Sequence, residues 1–269
     1  MPILTYASEI WGFEDLKILE RIHCDFIRKI LHLKKKTPFY MIYAESGRYP
    51  IEITVKTRMI AYWNRLLSGP KSKLSYQIYQ HILHLPNYKS KWLSYIQEIL
   101  NSCGMNYAWM NQNGMNNVKL KSKLKQVLVD QNTQKWHASL QDSHKGRTYS
   151  LFKTTVSLEK YLTILNRAEY INLIRFRTGN HSFPVETGRW NDIDYSDRKC
   201  HLCNTNDIGD EMHYLLVCPN FLAERQKFVK KQYYERPNIL KFRKLMTSES
   251  ITELRLLSKF VKHLLRVIV

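Results

Sequence analysis

Apolar residues recur at helical spacing along much of the chain, and that pattern predicts a mainly α fold. From Glu14 to Leu33, residues Leu19, Ile22, Phe26, Ile30 and Leu33 share one stripe, while Lys17, Arg21, Arg28 and Lys29 fall largely off it. Lys34-Lys35-Lys36 complements the dipole at the end of that helix. A short helix starting at Thr37-Pro38 runs to about Glu45 and stops at Gly47. Pro50 opens the next, which carries Ile51, Val55, Met59, Trp63 and Leu66 or Leu67 until Gly69-Pro70. Leu74 to Leu85 and Lys91 to Cys103 read as two more helices.

Met105 to Asn117 is rich in Asn, Met and Gly and shows no period, so 104–117 reads as a polar linker after a helical region 1–103. Residues 118–269 form a second helical region. Its expected elements are a helix over Val118 to Leu140, a polar break at Asp142 to Gly146 and a short strand over Thr148 to Phe152. Helices follow at Leu158 to Leu165, Ala168 to Thr178, Phe221 to Tyr234, Ile239 to Met246 and from Ile251 onward.

One motif interrupts this pattern with specific chemistry. Cys200, Cys203, His213 and Cys218 are spaced C-x2-C-x9-H-x4-C, as a closed tetrahedral zinc site requires. Thiolates and a neutral imidazole suit Zn²⁺, and four protein ligands leave no position for water, so such a zinc is structural. Cys200 to Cys203 forms a tight turn, Asn204 to Gly209 a polar loop, and Asp210 caps a short helix bearing His213. Pro219 then turns the chain at Cys218. His201, inside the knuckle, is the alternative fourth ligand. Buried cysteines beside a core histidine are the plainer reading. An odd cysteine count without paired spacings argues against disulfides.

Charge changes the picture next. Forty-two Lys and Arg face 23 Asp and Glu, giving a net charge of +19 spread along both halves of the chain. That excess favours a polyanionic partner, of which nucleic acid is the commonest. No apolar run approaches the ~20 residues of a membrane span, and no signal peptide is visible. The expectation is an intracellular protein, nuclear or cytoplasmic, that is not inserted in a membrane.

Arg175, Arg177, His181, Arg189, Arg198 and Lys199 bracket the approach to the cysteines. If they share a face, they position a nucleic-acid backbone without reading its sequence. Scattered charge with ion pairs to Glu186 or Asp197 is the plainer reading. Trp190, Tyr195 and Tyr214 offer either stacking platforms or a miniature core beside the metal. Asp192, Asp194 and Asp197 read as a solvated loop, and Lys119, Lys121, Lys123 and Lys125 as an exposed helix face. The amphipathic segment from Ile251 either lies on an anionic membrane or packs on the protein, and packing is the simpler expectation.

The succession of Leu4 to Gly12, Leu19 to His23 and Met41 to Pro50 resembles the segment that follows the palm in reverse transcriptases of LINE-type non-LTR retrotransposons. Leu173 to His181, Glu186 to Trp190 and Arg198-Lys199-Cys200 resemble that family's approach to its C-terminal zinc knuckle. About residues 70 to 150 match only loosely. The resemblance implies a helical thumb-like bundle, a connector and a CCHC knuckle that binds RNA or DNA. It also implies self-association through a thumb surface left without its palm. It does not imply polymerase activity, because the palm's paired aspartates are missing, and the chain reads as a truncated, non-catalytic product.

Overall fold

The computed structural model describes residues 3–85 and 90–268. The chain is mainly α, and among the described residues β structure is limited to two isolated bridges. In order the helices are α1 (Ser8–Trp11), α2 (Lys17–Leu31), α3 (Phe39–Ser46), α4 (Ile51–Ser68), α5 (Leu74–His84), α6 (Lys91–Ser102), α7 (Asn106–Asn111) and α8 (Asn117–Asp142). There follow α9 (Tyr149–Phe152), α10 (Tyr161–Ile164), α11 (Arg167–Arg177), α12 (Pro184–Trp190), α13 (Leu222–Phe228), α14 (Lys231–Tyr234), α15 (Ile239–Met246) and α16 (Ile251–Val267). The expected extension of the last helix to Val269 lies outside the described residues. Two compact units form, one from residues 1–24 and 49–135 and the other from 25–48 and 136–269.

The first unit is built on α4. Ile51, Val55, Met59 and Trp63 are fully buried, as their spacing predicts. The α1 end packs so closely on α4 that a Cβ at Gly12 would lie 2.3 Å from Val55 Cγ1. Leu93, Ile96, Ile99 and Leu100 of α6 and Leu120, Leu124 and Leu128 of α8 complete the core. Trp63 donates through Nε1 to the Tyr79 hydroxyl at 3.0 Å and stacks on Trp109.

The expected linker belongs to this core, so the boundary read at 103 and 118 is not where the units divide. Gly104 follows α6 in the left-handed region at φ +66, and Met105 and Ala108 beyond it are buried. Buried Asn64 donates to Met115 O at 2.9 Å and accepts from Met115 N at 2.8 Å. The segment is fixed through single apolar residues and backbone hydrogen bonds, neither of which produces a period.

On α2 the expected stripe is also corrected. Ile22, Phe26 and Ile30 stand exposed, while Cys24, Ile27 and Leu31 turn inward. The helix carries apolar residues on two faces, and spacing alone cannot choose between them.

In the second unit, α11 packs along α16, whose Leu254, Leu257, Val261 and Leu264 are buried, so this amphipathic helix covers protein. Asn166 and Glu169 form a reciprocal capping box that starts α11. The expected strand at Thr148 to Phe152 is the one-turn helix α9. Its buried Tyr149 and Phe152 lie three residues apart on one side, and Phe152 meets Phe242 of α15 edge-on. The long helix expected over Phe221 to Tyr234 is divided, because Val229 is extended between α13 and α14.

Polar groups also hold this unit. Arg177, 2% exposed, pairs with Glu45 of α3 at 3.1 Å and with Glu159 at 3.0 Å, and donates to Met246 O at 2.7 Å. Tyr161 donates to Glu45 at 2.5 Å, and Lys153 pairs with Glu159. Burial pushes the Glu45 carboxyl up, but Arg177 and Lys153 hold it below its usual range.

Candidate metal centre

The knuckle begins with a reversal of the chain between Lys199 and Ile208, which form an antiparallel bridge. Cys200 N donates to Asp207 O at 2.8 Å and Gly209 N to Arg198 O at 2.9 Å, so the two arms of the loop are joined beside the first cysteine. Leu202 N donates to Cys200 Sγ at 3.4 Å, an amide to sulfur bond that orients the thiolate. Asp210 accepts from His213 N at 2.8 Å and caps the turn entering the second ligand pair, as its position predicts.

His213 and Cys218 are five residues apart. In an α-helix, at about 100° per residue, they would diverge by roughly 140°. Residues His213–Val217 instead form a π-helical turn, and Cys218 N donates to His213 O at 2.7 Å across five residues. The wider turn brings residue 218 back over residue 213. Sequence reasoning expected an ordinary short helix here, and the ligand spacing itself was the signal for the bulge.

The four donor atoms of Cys200, Cys203, His213 and Cys218 lie within 4.8 Å of one another, and the cysteines are not disulfide-bonded. His213 presents Nε2 to Cys203 Sγ at 3.4 Å. His201, the alternative fourth ligand, is exposed and outside the cluster. The cluster is one that can hold a metal ion.

Its surroundings fit a divalent cation bound by thiolates. Burial and the neighbouring Cys200 and Cys203 push the Cys218 thiol up to about 12, so three thiolates this close need a cation to ionise together. Burial lowers the His213 pKa despite Asp207 nearby, which keeps the imidazole neutral, the form that ligates. Its Nδ1 has no partner of hydrogen-bond geometry, but Asp207 Oδ2 stands 3.5 Å away, where a carboxylate can orient a metal-bound histidine. Tyr214 Oη is likewise buried without a partner of good geometry and lies beside Cys200, whose thiolate is an acceptor for it.

Arg225 is the residue that sequence reasoning missed. It is 2% exposed and pairs with no carboxylate among the described residues. Its guanidinium donates to Leu215 O at 2.8 Å, Tyr214 O at 3.2 Å and Cys218 O at 2.8 Å, closing the carbonyls freed where the π-turn ends. A buried cation without a counter-ion is costly. With a divalent ion bound, three thiolates and one neutral imidazole would carry one net negative charge, which the Arg225 guanidinium beside Cys218 would offset. No sequence pattern marks an arginine seven positions beyond the last cysteine for this role.

The six basic residues expected to share a face do not do so. Arg177 is in the buried ion network, and His181 is buried with Nε2 2.9 Å from Glu211, stacked on Phe183. Burial raises the Glu211 carboxyl most strongly, but the hydrogen bond and charge of His181 together with further hydrogen bonds hold the group low. Arg189 is half-buried against Glu186 at 2.9 Å. Arg198 donates to Ile193 O at 2.9 Å and Val185 O at 3.1 Å, and it crosses Gly188 where a Cβ would come 2.5 Å from its Cγ. Lys199 is partly exposed beside Cys200, and of the six only Arg175 is exposed.

The aromatics divide. Tyr214 is core, packed against Phe183 and Phe221, whereas Trp190 is exposed and Tyr195 lies under Arg147 at 4.2 Å. Asp192, Asp194 and Asp197 are exposed. No described helix is long and apolar enough to cross a membrane. Comparison with protein families, with curated proteins and with solved structures finds no match.

Proposed function

We propose that this chain is a non-catalytic, zinc-stabilised binder of RNA or DNA, derived from the C-terminal part of a LINE-type reverse transcriptase. The observation that carries the reading is the meeting of Cys200, Cys203, His213 and Cys218 in one four-donor cluster, in a chain of net charge +19. Three sulfurs and one nitrogen suit zinc over harder cations, and four protein donors leave no place for substrate or an activated water. Bound there, zinc supplies cross-linking of the knuckle loop to the π-turn rather than Lewis-acid chemistry. The remaining surface binds through charge, so contacts to phosphate give affinity without sequence preference. The resemblance of residues 4–50 and 173–200 to the retroelement enzymes supplies the ancestry.

The test is filter binding of a 30-nucleotide single-stranded RNA at several salt concentrations, with zinc measured in the same sample. The reading expects one zinc per chain and affinity that falls by orders of magnitude from 50 to 200 mM salt. Salt-independent binding, or none at 50 mM, contradicts it.

One observation favours a second reading, a protein-interaction module. In the first unit a cleft of about 420 Å³ is lined by Phe13, Tyr62, Leu66, Ile78, Ile82 and Trp92, and is almost wholly apolar. Ile78 and nearby Leu74 are exposed. Such a surface suits self-association, and sedimentation equilibrium that yields a dimer at micromolar concentration supports it.

A further inference from the structure

The C-terminal end of α2 is built so that several cations meet around one recess. The helix stops at His32, which takes the left-handed conformation at φ 54, and Leu33 N returns to Arg28 O at 3.0 Å. This is the closing bond of a Schellman motif, with histidine in the place glycine usually fills and the following apolar residue, Leu33, buried. The bond satisfies a terminal carbonyl and turns the chain, and Lys29 before the turn and Lys35 after it line one recess. On the other side stands α11, which contributes Arg175.

The resulting cleft, about 580 Å³, is lined by Asp25, Arg28, Lys29, His32, Lys35 and Arg175. Arg28 forms its fixed part. Its guanidinium bonds Asp25 at 2.5 Å and Thr37 O at 2.8 Å and lies 5.0 Å over the Phe39 ring, and its buried Nε finds no acceptor. Lys29, Lys35 and Arg175 are exposed and, among the described residues, pair with no carboxylate. Their situation contrasts with that of Arg177, Arg189 and Lys153 in the same unit, each of which has an acidic partner. Slight desolvation and then the charges of Arg167 and Arg175 lower the His32 pKa, a sign that the local potential is positive.

From this arrangement we propose that the cleft between the end of α2 and α11 is the principal phosphate-binding site of the chain. Lys29, Lys35 and Arg175 contact successive phosphates of a single nucleic-acid strand, with Arg28 and His32 as its floor. A strand enters a recess, whereas a bilayer presents a flat surface and cannot bring headgroups to cations set around a concavity. The inference rests on the nucleic-acid reading and assigns it to residues other than the zinc ligands. Of the cations expected beside the knuckle, it keeps only Arg175.

The test compares two triple variants of the full chain on a 30-nucleotide single-stranded RNA. One is Lys29→Gln, Lys35→Gln and Arg175→Gln. The other, Lys227→Gln, Lys259→Gln and Lys262→Gln, removes the same charge from exposed positions elsewhere in the unit. Each phosphate contact contributes about 0.7 to the slope of log affinity against log salt for single strands, so losing three lowers the slope by about 2. The cleft variant is expected to show that loss and to bind more than tenfold more weakly at 100 mM salt, with unchanged zinc content and circular dichroism. The control is expected to keep the slope within about half a unit.

Equal losses in both variants overturn the cleft and leave nucleic-acid binding standing. Failure of the unaltered chain to bind RNA at 50 mM salt removes the underlying reading as well. Binding of phosphatidylserine vesicles that depends on the same three residues, without RNA binding, overturns the choice of nucleic acid over a membrane.

Discussion

The two units bury different things. In the first, Ile51, Val55, Met59 and Trp63 meet the apolar faces of α6 and α8, and no carboxylate is buried among the described residues. The second buries Glu45, Glu186 and Glu211 together with Arg177, Lys153 and Arg225, and gathers the four side chains that could hold a metal ion. Apolar burial is non-directional and survives changes of pH, whereas buried charges and metal ligands stabilise only while each partner is present and correctly ionised. The difference separates the two units in how each can be broken.

The largest effect is expected at the cluster of Cys200, Cys203, His213 and Cys218. Apparent free energies of structural zinc binding are on the order of 10 to 16 kcal/mol, comparable with the whole stability of a domain. Cys218→Ser is therefore expected to abolish protection from hydrogen exchange over residues 198–221 while leaving α4 and α6 protected. Equal loss in both units would erase the contrast drawn here.

Removing one member of the buried ion network comes next. Arg177→Ala leaves Glu45 and Glu159 without their shared cation and is expected to cost about 3 to 5 kcal/mol. Trp63→Ala, also about 3 to 5 kcal/mol, is the matching lesion in the apolar unit. Denaturant melts of the two variants at pH 7 and at pH 4 distinguish the mechanisms. The Trp63→Ala loss is expected to be the same at both values, whereas the Arg177→Ala loss shrinks in acid.

The sign follows from Glu45 and Glu211, whose carboxyls are held below their ordinary value of 4.5 by Arg177 and by His181 against the opposing effect of burial. A depressed folded-state pKa contributes stability that is complete above the unfolded value and is lost as pH falls through the folded one. The second unit is thus expected to weaken below about pH 4.5, with exchange protection in α11 falling before that in α4. Uniform acid sensitivity would count against the comparison. The smallest effect is local: Asn166→Ala removes the side chain that caps α11 and is expected to cost about 1 kcal/mol in a thermal melt.

The same contrast explains what could be read in the sequence. Helix α4 was legible because one face repeats Ile51, Val55, Met59 and Trp63, and the four-donor cluster because a tetrahedral metal site demands residue type and spacing together. Elements held by other forces were not. Residues 104–117 lack a period because Asn64 secures their backbone, α2 offers two apolar faces, and a two-residue apolar signal in α9 is shared by a strand and a single helical turn. Arg177 and His181 read as surface cations because their acidic partners, Glu45 and Glu211, stand 132 and 30 residues away. Ion pairs at that separation leave no local trace.

The most direct measurement is native mass spectrometry of the purified chain beside its Cys203→Ser variant. One zinc per unaltered chain, and none in the variant, is the predicted outcome. A chain that carries no zinc when refolded with the metal, or a variant that retains it in full, would contradict the account.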